Sequence, residues 1–220
     1  MVYHADVIAL KQSAEQGNAE AQFNLGMAYV EGCGVVQNDT EAVKWFRLAA
    51  EQGDAAAQSN LGVMYFNGRG VTREYSVAAQ WCHRAAELGY SQAQYNLGWL
   101  FAEGRGVTQD DAEAGRWFRR AAEQGFVSAQ YNLGVMYYEG RGVPKEDMEA
   151  GRWFRKAAEQ GFAAAQYRLA AMHSLGRRGG AQDGARGTAP AQGRRGGGWG
   201  REAGSFDPGA REGKGSGSAA

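Results

Sequence analysis

Apolar positions along the first 175 residues follow two alternating patterns. In 39–51, Ala42, Trp45, Phe46, Ala49 and Ala50 fall at i, i+3, i+4, i+7 and i+8, which makes one stripe on an amphipathic helix. Asp39 or its neighbour Asn38 can cap the start of that helix. Gly53 stands just past its end, where a left-handed residue closes a helix. The stretch before it, roughly 19–31, reads differently. Ala21, Leu25, Ala28 and Tyr29 share one face, while Phe23, Met27 and Val30 lie on the opposite one. A helix apolar on two sides belongs inside a stack of helices. Gly32 marks its end for the same reason that Gly53 marks the other.

This pair of helices recurs every 36 residues. Ala-Gln begins at Ala21, Ala57, Ala93, Ala129 and Ala165. Asn24, Asn60, Asn96 and Asn132 align, each followed by Leu-Gly. The connecting loop reads Gly-Cys-Gly-Val at 32–35 and Gly-Arg-Gly-Val at 68–71, 104–107 and 140–143. Trp45, Trp81, Trp117 and Trp153 align, as do the Ala-Ala-Glu runs that close each second helix. Self-similarity at this period predicts an all-α fold, an α/α superhelix or solenoid of helix-turn-helix repeats. The units run as a half-repeat over 5–20, repeats over 21–56, 57–92, 93–128 and 129–164, and a half-repeat over 165–177, so that 1–177 forms the solenoid. Gly26, Gly62, Gly98 and Gly134 sit in mid-helix, where each costs about 1 kcal/mol against Ala. Their recurrence predicts close approach of a neighbouring helix.

The strings Ala-Gln-Tyr-Asn-Leu-Gly-Val-Met-Tyr-Tyr-Glu-Gly-Arg-Gly-Val at 129–143 and Ala-Gly-Arg-Trp-Phe-Arg-Lys-Ala-Ala-Glu-Gln-Gly at 150–161 resemble the Sel-one-like repeat, a relative of tetratricopeptide repeats. The resemblance covers about residues 5–177. It implies an α/α superhelix and a role as scaffold or adaptor, as in proteins of ER-associated degradation and bacterial proteins at host or signalling interfaces. A secreted bacterial branch carries a regular cysteine pair in each repeat. Here Cys33 and Cys82 fall at different repeat positions, so the chain departs from that branch.

Composition changes the picture at the C-terminus. Of the 34 glycines, 15 fall in 176–220, with eight basic residues against four acidic ones and no apolar periodicity. Residues 178–220 therefore read as a disordered Gly/Arg-rich tail. Arg178-Gly179-Gly180 and Arg195-Gly196-Gly197 look like RGG elements, a weak signal for RNA, and nucleic acid is an unlikely partner. The other reading is an extension in a shifted coding frame. Over the whole chain 24 basic and 24 acidic residues cancel, which excludes a chain-wide basic field for nucleic acid or membrane. No apolar run approaches the roughly 18 residues of a membrane span. The opening Met-Val-Tyr-His-Ala-Asp lacks the basic and apolar regions of a signal peptide, so the expected location is cytoplasmic.

Nothing in the sequence assembles a catalytic or metal site. His4, His83 and His173 have no partner at ligand spacing, His83 standing where Arg47 and Arg119 lie on a solvated helix face. Cys82 replaces a core Phe and reads as a small buried thiol. The Gly-x-Gly loops follow helices rather than strands, so they read as helix ends and not as phosphate loops. Arg47, Arg119 and Arg155 precede Glu51, Glu123 and Glu159 by four residues, the spacing of surface ion pairs. No enzyme and no cofactor is expected. Binding of a protein or peptide is. The face holding Phe23, Met27 and Val30 varies between units, giving Tyr95 and Trp99 in the third and Tyr131 and Tyr138 in the fourth. Such a face is either a ligand groove with aromatic anchors or the packing surface toward the adjacent unit. Asn60, Asn96 and Asn132 are either hydrogen-bonded to a neighbouring helix end or form an amide ladder that grips peptide backbone, and Gln58, Gln94 and Gln130 carry the same alternatives. Arg69, Arg105 and Arg141 repeat once per loop, either to steer an acidic partner or as plain solvated loop residues. An enzyme or ligand-binding protein on the same superhelix is the alternative function.

Overall fold

The computed structural model describes residues 4–179, apart from the side chains of 4–6, 173 and 175–179. The segment read as a disordered tail lies outside the described residues except for 178 and 179, which continue the last helix. The described chain is all helical: α1 (His4–Glu15), α2 (Ala19–Glu31), α3 (Asp39–Glu51), α4 (Ala55–Asn67), α5 (Tyr75–Glu87), α6 (Ser91–Glu103), α7 (Asp111–Glu123), α8 (Val127–Glu139), α9 (Asp147–Glu159) and α10 (Ala163–Gly179). These form two compact units, divided between Arg73 and Glu74. Within each, consecutive helices pack antiparallel in helix-turn-helix repeats, so the solenoid architecture read from the period is the one observed.

Local chemistry sets the boundaries. Asn18 Oδ1 accepts from Ala21 N–H at 2.8 Å and Asp54 from Ala57 N–H at 2.6 Å, capping α2 and α4. Asn38, rather than Asp39, caps α3 by accepting from Thr40 and Glu41, and Asp110 does the same for α7. Gly32, Gly68, Gly104 and Gly140 all adopt left-handed backbone and close the first helices.

The cores are built from one stripe on each second helix, as in α3, and from more than one face of first helices such as α4 and α6. Phe46, Phe118 and Phe154 are fully buried and press their rings against Gly26, Gly98 and Gly134. A β-carbon on Gly26 would stand 2.6 Å from two ring carbons of Phe46, which confirms close helix approach as the reason for the mid-helix glycine.

The Ala-Gln dipeptide stitches successive helices together. Gln22, Gln58, Gln94 and Gln130 each donate to the carbonyl of an Ala eight residues earlier, at the end of the preceding second helix (Ala14, Ala50, Ala86 and Ala122). Gln52, Gln124 and Gln160 then donate to the Oε1 of Gln22, Gln94 and Gln130. These amides serve the array itself, because a buried polar side chain costs stability unless it is hydrogen-bonded.

The expected Arg–Glu pairs along the second helices give way to other partners. Arg47 donates to the Tyr65 hydroxyl at 2.7 Å, and Arg119 donates to that of Tyr137. Ion pairs within α3, α7 and α9 are instead spaced i,i+3, as in Lys44–Glu41 and Arg152–Glu149. They are exposed and contribute only a few tenths of a kcal/mol each.

Candidate partner-binding site

The varying face of the first helices separates into a packed edge and an accessible edge. Tyr95 is only 2% exposed and its ring lies 5.7 Å from that of Phe118 and 5.0 Å from that of Phe126. Tyr131 sits likewise at 5.6 Å from Phe154 and 5.1 Å from Phe162, and Arg168 hydrogen-bonds to it, which raises the arginine's pKa further. Two tyrosines expected as groove anchors thus pack on the second helix and the turn that follows it. Trp99 and Tyr138 are half-buried at the border of the core cluster, with Val135 between them in sequence, and Lys145 Nζ lies 5.8 Å from the Tyr138 ring centroid.

The Asn ladder is buried. Asn60 is 6% exposed, with Nδ2 3.9 Å from Met27 Sδ, and Asn132 is 3% exposed. Asn96 is fully buried, and its Oδ1 accepts from Gln92 at 3.2 Å. The Nδ2 groups of Asn96 and Asn132 have no partner among the described residues. An unmet buried donor costs about 1–3 kcal/mol, so a pair of them at equivalent positions needs a reason.

The Arg ladder is largely spent inside the chain. Arg69 grips Asp39 with two hydrogen bonds of 3.0 and 2.7 Å, and Arg141 pairs with Asp111 at 3.0 Å. Arg105 differs, because Tyr75 stands where Asp39 and Asp111 do. Its guanidinium lies 5.3 Å from the Tyr75 ring centroid instead.

A model of the Sel1 repeat matches residues 19–54, 55–90, 91–126, 127–162 and 163–187. The chain belongs to the Sel1 repeat family. Sel1 repeat proteins are commonly protein-interaction scaffolds. Two solved Sel1-type structures are similar to it. One is c5321, a protective antigen of uropathogenic Escherichia coli strains with an SLR fold, at 42% identity and TM-score 0.77 over 79% of this chain and 37% of that one. This chain therefore spans little more than a third of that antigen. The other is a Sel1 repeat protein from Oxalobacter formigenes, at 36% identity and TM-score 0.72 over 79% of this chain and 69% of that one. No curated protein matches the chain. Among the described residues no helix is long and apolar enough to cross a membrane.

Within this Sel1 array the cysteines separate as their positions dictate. Cys33 is exposed in the first loop, 3.6 Å from a Glu31 carboxylate oxygen. Cys82 is fully buried, and burial pushes its thiol from 9.0 up to about 12. A thiol reagent at pH 8 should modify Cys33 at once and Cys82 only on unfolding. The raised value also carries a sign. Above pH ~9 the unfolded thiol releases a proton that the native one holds until about 12, so stability falls with rising pH in that window. Cys82→Ala should flatten that slope in denaturation curves taken between pH 8 and 11.

One cavity was not legible as a site. About 410 Å³ opens between α5, α6 and the loop after α6, beside His83 and Phe101. The signal for it was present in the repeat register, because both members of the Arg–Tyr pair change together there: Arg47–Tyr65 and Arg119–Tyr137 become His83–Phe101.

Proposed function

We propose that this chain is a non-catalytic scaffold that binds a protein or peptide along the first-helix face bearing Asn96, Trp99, Asn132 and Tyr138. The observation that carries this reading is that Trp99, Val135 and Tyr138 stay half-exposed on the face that varies between repeats, while Asn96 and Asn132 are buried beneath it. Trp99 and Val135 each lie three residues further along the same helix, and both are half-buried. A row of accessible aromatic and apolar groups suits a peptide, whose side chains cover the rings. Tyr95 and Tyr131 support that face from beneath.

Two substitutions separate binding from folding. Asn132→Ala removes an unmet donor and a poor helix former, so its melting temperature should be equal to or above that of the parent. Binding of a partner captured by the full chain should be retained, because the buried amide does not reach the surface. Trp99→Ala should cost the same partner about 2 kcal/mol or more, read by calorimetry with helix content checked by circular dichroism. If Trp99→Ala leaves binding intact while helix content is unchanged, the face is the wrong one.

A further inference from the structure

The outer flank of α5 departs from the other second helices at four positions. Those helices begin with Asp39, Asp111 or Asp147, and carry an acid–base pair three residues apart and an Arg one turn later. In α5 the four places hold Tyr75, Val77, Gln80 and His83, and Phe101 faces His83 in place of the tyrosine. The Arg–Tyr hydrogen bond that fills this position in the repeats on either side is absent, and the 410 Å³ cavity takes its place. Its apolar lining includes Ala79, Leu97, Phe101 and Val107, and its polar lining is Ser76, Gln80, His83 and Arg84. No carboxylate lines it. Arg84 stacks 4.7 Å from the Trp81 ring centroid, Arg105 stacks on Tyr75, and neither makes an ion pair among the described residues. At the same loop position in the neighbouring repeats, Arg69 and Arg141 are neutralised by aspartates.

We infer that this cavity receives an acidic peptide segment of a partner protein, with one apolar side chain inserted against Leu97 and Phe101 and flanking carboxylates on Arg84 and Arg105. The inference goes beyond the scaffold reading, because the cavity is a second surface outside the Trp99 and Tyr138 face. The volume falls at the small end of ligand pockets, which suits a single side chain. Two arginines held on aromatic rings without an acid are pre-positioned donors for carboxylates.

The probe is N-acetyl-Asp-Phe-Asp-amide, added to the full chain with affinity read by calorimetry and, in the parent, with the His83 ring resonances followed by NMR. Saturable shifts are expected, with affinity at least about tenfold above that of the Asn-Phe-Asn analogue. His83→Arg combined with Phe101→Tyr restores the pair that two other repeats use to fill the space. It should fold with unchanged melting temperature and lose at least about tenfold in affinity. Arg84→Gln should weaken the acidic peptide by a similar factor and the Asn-Phe-Asn analogue hardly at all. Equal binding of both peptides, unchanged binding by the filled variant, or no His83 shift would each overturn the inference. N-acetyl-phenylalanine binding as tightly as the tripeptide would overturn the peptide as occupant in favour of a small acid. The cavity lining includes neither Trp99 nor Tyr138, so a failure here leaves the scaffold reading to its own test.

Discussion

Gly106→Ala should destabilise the array by about 3 kcal/mol or more, and should do so far more than Ala at the helix-end glycines. Gly106 has φ +72°, which alone costs an L residue about 1–2 kcal/mol. Its new β-carbon would also stand 2.1 Å from the Tyr75 carbonyl oxygen and 2.6 Å from Ser76 N. These are backbone atoms at the start of a helix and cannot step aside as a flexible side chain can, so overpacking adds to the conformational cost. Gly142 meets Asp111 in the same way, at 2.1 Å from its carbonyl oxygen. Gly125 is the control. It has φ +91° with nothing within 4 Å of an added methyl, so Gly125→Ala should cost only the backbone term of about 1–2 kcal/mol. Urea denaturation of the three variants checks this. Equal losses for Gly106→Ala and Gly125→Ala would mean that the loop is not pressed against the preceding second helix.

The two glycines of the Gly-x-Gly loop show where sequence reasoning stops. The first follows the last helical residue, and its role as a left-handed terminator is a local property of the chain. The second touches a helix that began some 30 residues earlier, and no local pattern reports such a contact. The repeat period and the helix limits were legible for the opposite reason, since capping side chains, apolar stripes and terminal glycines all act within one turn. The candidate face was only half legible. Periodicity placed Tyr95, Trp99, Tyr131 and Tyr138 on one side of their helices. It did not say that Phe118 and Phe126 would enclose Tyr95 while Trp99 stayed half-exposed. The Arg row was readable as a ladder, but its partners Asp39 and Asp111 lie 30 residues upstream, and only Tyr75 breaks that pairing. The His83–Phe101 change was visible in the register, yet it becomes meaningful only when Arg47 and Tyr65 are seen to touch.

Gly98→Val should cost about 2 kcal/mol or more, against a helix propensity that slightly favours Val over Gly. A β-carbon on Gly98 would lie 2.8 and 2.9 Å from two ring carbons of Phe118 and 3.2 Å from the Ala114 carbonyl oxygen. Phe118 is fully buried and carries Tyr95 against it at 5.7 Å, so the ring has little room to retreat. Gly151 supplies the contrast, because it is also in a helix but its β-carbon would meet only Met172 Cε, at 3.9 Å. Gly151→Ala should therefore raise stability by up to about 1 kcal/mol, while Gly98→Ala lowers it. The array supplies a precedent, since α10 carries Ala170 at the position of Gly134, and there the residue is exposed. A double-mutant cycle locates the cause. In a Phe118→Leu background the penalty of Gly98→Ala should shrink, because the shorter side chain vacates the space the methyl needs, although Phe118→Leu alone is destabilising. If the two substitutions prove additive, the glycine is required by something other than the Phe118 ring.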